Sequence, residues 1–251
     1  MSPEIINFHN FKQTIRSWRN LCKQAGLSIR SVVEIDGMPV LEIRSPTLGA
    51  KKGVYISAGI HGDEPAAVAG LFSWANRKIA DLANIPLLIY PCLNPWGFLN
   101  NSRTDKSGVD LNRIWGQADH PLVQVVSKKL QSIELCLSLN LHEDYDGQGI
   151  YLYEPRRGGR YDSFAEKILH SAESVIQRDC RKRIEGRKVK DGMIRPRLRN
   201  LPKEGKPEAV YLYENKGGRN FTLETPSEFA FHDRRSAHKL MIECAVNASG
   251  Y

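Results

Sequence analysis

The sequence predicts an α/β fold. Two observations carry the prediction. Apolar, β-branched runs of strand length alternate with segments of helical periodicity along most of the 251 residues. At least one of those runs, residues 54–58, leads straight into a glycine-flanked turn and then a proline-started helix. That is the junction where open α/β sheets place their ligand sites. No internal repeat, low-complexity tract or linker breaks the pattern, so residues 1–251 are expected to form one domain.

Taken in order, residues 11–25 carry Phe11, Ile15, Trp18, Leu21 and Cys22 at helical spacing, and Gly26 stops the helix. Residues 29–35 and 40–43 read as strands joined by Asp36-Gly37, a hairpin signal. A buried strand is expected at 54–58, a helix at 65–82 and a strand at 87–92. Residues 93–115 show little periodicity and are rich in Asn, Gly and charge, and a long loop inside a compact domain is usually functional. Pro121 opens a helix of about ten residues. Residues 135–141 form an apolar strand that delivers His142 at its end, and 150–153 a short strand. An amphipathic helix is expected at 161–178, a polar, basic, turn-rich stretch at 185–205, strands at 210–213 and 220–224, and a final helix at 228–246.

The bulk numbers exclude several classes. A hydrophobic content of 41% suits a globular core. No run reaches the eighteen apolar residues of a membrane span, and the N-terminus has no charged-then-apolar leader pattern. Cysteines 22, 92, 136, 180 and 244 are scattered, with no Cys-x-x-Cys, and are expected to be free thiols in a reducing, cytoplasmic setting. The net charge of +8 is concentrated in residues 178–199. That run lacks the aromatics that stack on bases, so a solvated basic wall or a surface for acidic substrates is favoured over a nucleic-acid interface.

The chemistry centres on Ile60-His61-Gly62-Asp63-Glu64-Pro65. His61 and Glu64, one turn apart after a strand, can converge on a metal ion. Catalytic zinc takes three protein ligands and leaves a fourth position open. If the strands before His61 and His142 are neighbours in a parallel sheet, both imidazoles emerge at one edge and His142 is the third ligand. Arg103, Asn112 and Arg113 share the loop 93–115, and guanidinium groups bind carboxylates and developing oxyanions. Asp110 can accept the second ring N–H of a metal-bound histidine. Glu224, at the end of a strand, is placed to act as general base and then proton donor.

Together these residues resemble the zinc carboxypeptidase family. The resemblance rests on His61-x-x-Glu64, Arg103, Gly108-Val109-Asp110-Leu111-Asn112-Arg113, His142 and Thr222-Leu223-Glu224, in that order. It implies a single-domain α/β/α sandwich around a mixed, mostly parallel sheet. It further implies zinc on His61, Glu64 and His142, Arg103 polarising the scissile carbonyl, Asn112 and Arg113 holding a substrate carboxylate, Glu224 as general base and Asp110 behind His61. The short interval from Glu64 to His142 resembles the compact bacterial members that cleave cell-wall peptides, and the succinylglutamate desuccinylase/aspartoacylase branch. Both a peptide and an N-acyl amino acid therefore fit as substrate. About 27 residues follow Glu224, too few for the extra domain that narrows the entrance in aspartoacylases, which favours peptides. The family's substrate-closing tyrosine is not placed by the sequence, since Tyr211 and Tyr213 stand too near Glu224. The acidic run 143–146 is either a subsite for a cationic group or a solvated loop.

Overall fold

The computed structural model describes residues 9–117, 119–155, 161–197 and 205–251. In chain order these form α1 (Phe11–Ala25), β1 (Ser28–Ile35), β2 (Met38–Arg44), β3 (Gly53–Ser57), α2 (Pro65–Arg77), β4 (Leu87–Tyr90), α3 (Pro95–Asn100), α4 (Pro121–Gln131), β5 (Leu135–Asp144), β6 (Tyr151–Tyr153), α5 (Phe164–His170), β7 (Arg183–Ile184), β8 (Arg187–Lys190), β9 (Met193–Ile194), α6 (Glu208–Asn215), β10 (Arg219–Pro226) and α7 (Phe231–Ala248). Among the described residues ten strands form one sheet in the order β1-β2-β4-β3-β5-β10-β6-β9-β8-β7. Its centre, β4-β3-β5-β10, is parallel, and the flanks are mixed. β3 and β5 are parallel neighbours, as the two-histidine argument requires.

Alternation along the central strands feeds two cores. From β3, Val54 and Ile56 face the cluster that contains Trp18, Trp74, Ile168 and Met241, contributed by α1, α2, α5 and α7. Tyr55 faces the opposite cluster, with Leu122, Val126 and Leu212 of α4 and α6. Both faces of the sheet are thus covered by helices, an α/β/α sandwich.

Several boundaries differ from the sequence reading. α2 ends at Arg77; residues 78–81 form turns, and Leu82–Asn84 a single 3-10 turn, instead of more α-helix. The stretch 93–115 contains α3, whose start is capped by Asn94 accepting from the Gly97 N–H at 2.8 Å. β5 runs on to Asp144, so His142 lies within a strand. The amphipathic segment 161–178 is helical only over Phe164–His170. Beyond it, Ala172, Glu173 and Val175 make i→i+3 backbone bonds, so tight turns keep Ala172 and Ile176 buried after the α-helix has ended. Residues 210–213 are helical, inside α6, and not a strand. Part of the basic run, including Arg199, lies outside the described residues.

Candidate active site

Three strands place the site. β5, β10 and β6 bring His142, Glu224 and Tyr151 into one row, with Glu224 paired to His142 on one side and to Tyr151 on the other. The turn after β3 supplies His61 and Glu64. That turn lies against α3 so closely that a Cβ on Gly62 would stand 1.9 Å from the Gly97 carbonyl carbon. Only glycine permits this approach, which brings the His61 turn onto the loop that carries Arg103, Asp110, Asn112 and Arg113.

His61 Nδ1 is 2.6 Å from Glu64 Oε1, and His142 Nδ1 is 3.0 Å from Glu64 Oε2. One ligand atom from each of the three residues falls within 4.8 Å of the others. His61 Nε2 lies 3.2 Å from Asp110 Oδ1, which assigns its proton to Nε2 and leaves Nδ1 facing the cluster. Burial disfavours the His61 cation, but the Glu64 and Asp110 carboxylates outweigh it and raise the imidazole to about 9. His142 is likewise raised by Glu64 against the pull of burial. Burial works against the Glu64 carboxylate too, yet the two imidazoles hold it far below the usual range. Two imidazoles gathered around one buried carboxylate match the nitrogen and oxygen donor set of a catalytic zinc site, so the residues fit a divalent metal.

With Glu64 turned toward the histidines, α2 has no capping side chain of its own. Glu143, next to His142, reaches over and accepts from the Ala66 N–H at 2.6 Å, and Arg234 of α7 pairs with it. Glu143 therefore holds a helix start, and the acidic run is no free cationic subsite there. Asp144 is similarly engaged by the Tyr151 hydroxyl at 3.0 Å.

Glu224 is buried, and no described residue donates a hydrogen bond to its carboxyl. Burial pushes its pKa well above the usual carboxylate range; His142 works against that, and Glu64 and Asp144 add to it. Arg103 is tied to Asp110, with Nε 3.1 Å from Oδ2, and its Nη1 lies 3.4 Å from His61 Nδ1. Arg113 is exposed, its side chain bonds only the Asn112 carbonyl at 2.9 Å, and it has no acidic partner among the described residues. All eight sequence-predicted site residues come together: seven line one cavity of about 320 Å³, and Asp110 stands behind it on His61 and Arg103.

Residues 50–143 match the succinylglutamate desuccinylase/aspartoacylase catalytic domain. No curated protein matches the sequence. Among solved structures, a Shewanella baltica protein described as a candidate metallopeptidase superposes with a TM-score of 0.87 at 19% identity, covering 97% of this chain and 94% of that one. A metallo-carboxypeptidase from Burkholderia cenocepacia gives 0.71 at 16%, covering 94% and 68%. The Pseudomonas aeruginosa metallo-carboxypeptidase in complex with (2-guanidinoethylmercapto)succinic acid gives 0.68 at 16%, also covering 94% and 68%. The chain has a carboxypeptidase-like fold. At these identities the likeness to the solved structures is one of fold.

Within this carboxypeptidase-like frame the sequence reading missed Glu208. Its backbone N–H donates to Asn112 Oδ1 at 2.9 Å, and its buried carboxyl accepts from Tyr55 and from Ser57 Oγ, the latter at 2.9 Å. Pro207, Ala209 and Val210 beside it line the cavity. The only available signal was Pro207-Glu208, a proline just before an acidic first turn, which marks a helix start. Tyr211 and Tyr213 lie away from the cavity, and its tyrosines are Tyr145, Tyr151 and Tyr153.

Proposed function

We propose that the protein is a cytoplasmic, zinc-dependent carboxypeptidase. In this reading its whole length works as one catalytic domain, and it cleaves the amide bond next to the free C-terminal carboxylate of a peptide. One observation carries the reading: the unpartnered, buried Glu224 faces the same cavity as the His61, Glu64 and His142 donor atoms and the unpaired Arg113.

His61, Glu64 and His142 would hold the metal, which when bound supplies Lewis-acid chemistry toward water and the carbonyl. Asp110 fixes the His61 tautomer. Asn112 has its Oδ1 committed to the Glu208 N–H, so its Nδ2 is the atom left to donate to a substrate carboxylate. Arg113 supplies the paired guanidinium. Arg103, fixed on Asp110, opposes negative charge that develops on the carbonyl oxygen. Glu224 removes a proton from the attacking water. Its raised affinity for protons suits holding that proton and then releasing it to the departing amine.

The family match at residues 50–143 favours a second reading, an N-acyl amino acid deacylase using the same residues. The deciding assay sets acetyl-aspartate and succinyl-glutamate against peptides with free C-termini, including γ-linked cell-wall fragments. Cleavage of the acyl amino acids with no peptide turnover would establish the deacylase. The peptidase reading expects the reverse.

A further inference from the structure

The basic run that the catalytic reading leaves unused folds into the meander β7-β8-β9 at one edge of the sheet. Its apolar residues Ile184, Val189 and Ile194 turn inward as a small core of their own with Tyr151. On β8, Lys188 and Lys190 alternate with the buried Val189, so both project from the exposed face. A groove of about 710 Å³ runs along this meander past Arg187, Lys188, Lys190, Arg195 and Arg197, with Glu185 as its only acidic lining residue among the described residues. Arg195 is paired with Glu154, but Arg187, Lys188, Lys190 and Arg197 have no acidic partner among the described residues. The groove lies beside the catalytic cavity, and Glu185, Arg187 and Pro196 line both. At the junction the Tyr153 hydroxyl donates to Glu185 Oε2 at 2.6 Å, which holds that carboxylate in place.

We propose that this groove is an extended subsite for an acidic stretch of the peptide substrate, the residues that precede the scissile bond. The choice of a peptide rests on the carboxypeptidase reading. A chain whose C-terminal residue sits in the cavity must leave it, and the shared lining makes the meander a direct exit. Unpaired cations along that path attract carboxylates through long-range steering and contact pairing. A nucleic acid is the poorer occupant, because the groove lining holds no aromatic side chain for base stacking among the described residues.

The test uses zinc-loaded enzyme and three peptides with one common C-terminal dipeptide, preceded by three Glu, three Ala or three Lys. At low salt the Glu peptide should show kcat/KM at least about tenfold above the Ala peptide, and the Lys peptide should fall below it. The advantage should collapse near 0.5 M NaCl, where screening is strong. In the Lys188→Glu/Lys190→Glu double variant the order of Glu and Lys peptides should invert, with the Ala peptide unchanged. The neutral Lys188→Gln/Lys190→Gln variant should abolish the Glu advantage without inverting it. Binding is read separately by fluorescence anisotropy of a labelled hexaglutamate peptide, with a twelve-residue oligothymidylate as competitor. If no peptide is hydrolysed but hexaglutamate binds to the native enzyme and not to the double variant, the groove stands and the peptidase reading falls. Equal kcat/KM for all three peptides with no hexaglutamate binding overturns the groove. So does an oligothymidylate that displaces hexaglutamate at tenfold lower concentration in 0.15 M salt.

Discussion

The backbone N–H of Glu208 donates to Oδ1 of Asn112 across 96 residues of sequence, at 2.9 Å. Pro207, the N-cap of α6, offers no capping side chain, so Asn112 satisfies the first donor of that helix from outside. The same bond fixes which end of the Asn112 amide faces the cavity. The Glu208 side chain, bonded to Tyr55 and Ser57 of β3, anchors the helix that makes the bond.

On the proposed reading, in which Asn112 holds a substrate carboxylate, Glu208 is a positioning residue for substrate binding. Glu208→Ala should raise KM for substrates with a free carboxylate by roughly tenfold, about 1.4 kcal/mol, with a smaller change in kcat. Unpaired buried hydroxyls on Tyr55 and Ser57 should also lower stability by about 2 kcal/mol. Burial pushes this carboxyl above the usual range, which favours its neutral form, so the isosteric Glu208→Gln should restore most of the KM. Steady-state kinetics beside thermal melts check this. A fall in Tm with unchanged KM would reduce Glu208 to a structural role.

Metal content should separate the ligands from the base. His61→Ala and His142→Ala should each lose bound metal, because each removes one of the three donors His61, Glu64 and His142. Glu224→Gln should keep the metal and lose roughly 10²–10⁴-fold in turnover. Elemental analysis of the three proteins with kcat for each is the check. Full metal in either histidine variant would refute the site.

Arg113 has only a backbone carbonyl as partner, which leaves its guanidinium open to a carboxylate. Arg113→Ala should weaken binding of free-carboxylate substrates by about 1.5–3 kcal/mol, the worth of a charge-assisted hydrogen bond. Amidating the substrate should cost the native enzyme a similar amount and the variant little more. Additive losses would mean that Arg113 meets some other group.

A pH effect on stability should arise far from the site, at Glu42. Its side chain is fully buried, and burial alone would raise its pKa. Arg30, Tyr90, Arg44 and Lys129 together outweigh burial and lower it. The unfolded chain thus binds a proton at Glu42 more readily than the folded one. The stabilisation is present above the ordinary glutamate value near 4.5 and is lost as pH falls through the lower folded value. Glu42→Gln should be less stable at neutral pH but lose less on acidification. Urea midpoints from pH 7 to 3, with chelator throughout, would show the two curves converging. Parallel curves would rule out Glu42 as a source of the acid sensitivity.

The sequence by itself determined the α/β class and named eight residues that the fold brings together at one cavity. His61-x-x-Glu64 follows a strand, the Asp110-Leu111-Asn112-Arg113 stretch lies in a loop, and His142 and Glu224 lie in the last residues of β5 and β10, all beside apolar runs that can be read locally. β3 and β5 were legible as strands because they are buried on both faces and so read as short continuous apolar runs. What only the tertiary structure decided were elements whose local preferences are overridden. Val210-Tyr211-Leu212-Tyr213 has the branched and aromatic side chains of a strand, yet it is helical. Its helix start is completed by Asn112 and its anchor by Tyr55 and Ser57, partners about 100 to 150 residues earlier. Glu143 looked like a free acidic residue but caps α2, because Glu64, the cap expected from position, is drawn away by two imidazoles. The route of the basic run to the cavity mouth was equally hidden, since strand order in a sheet is set by pairings between distant segments that no local window of sequence contains.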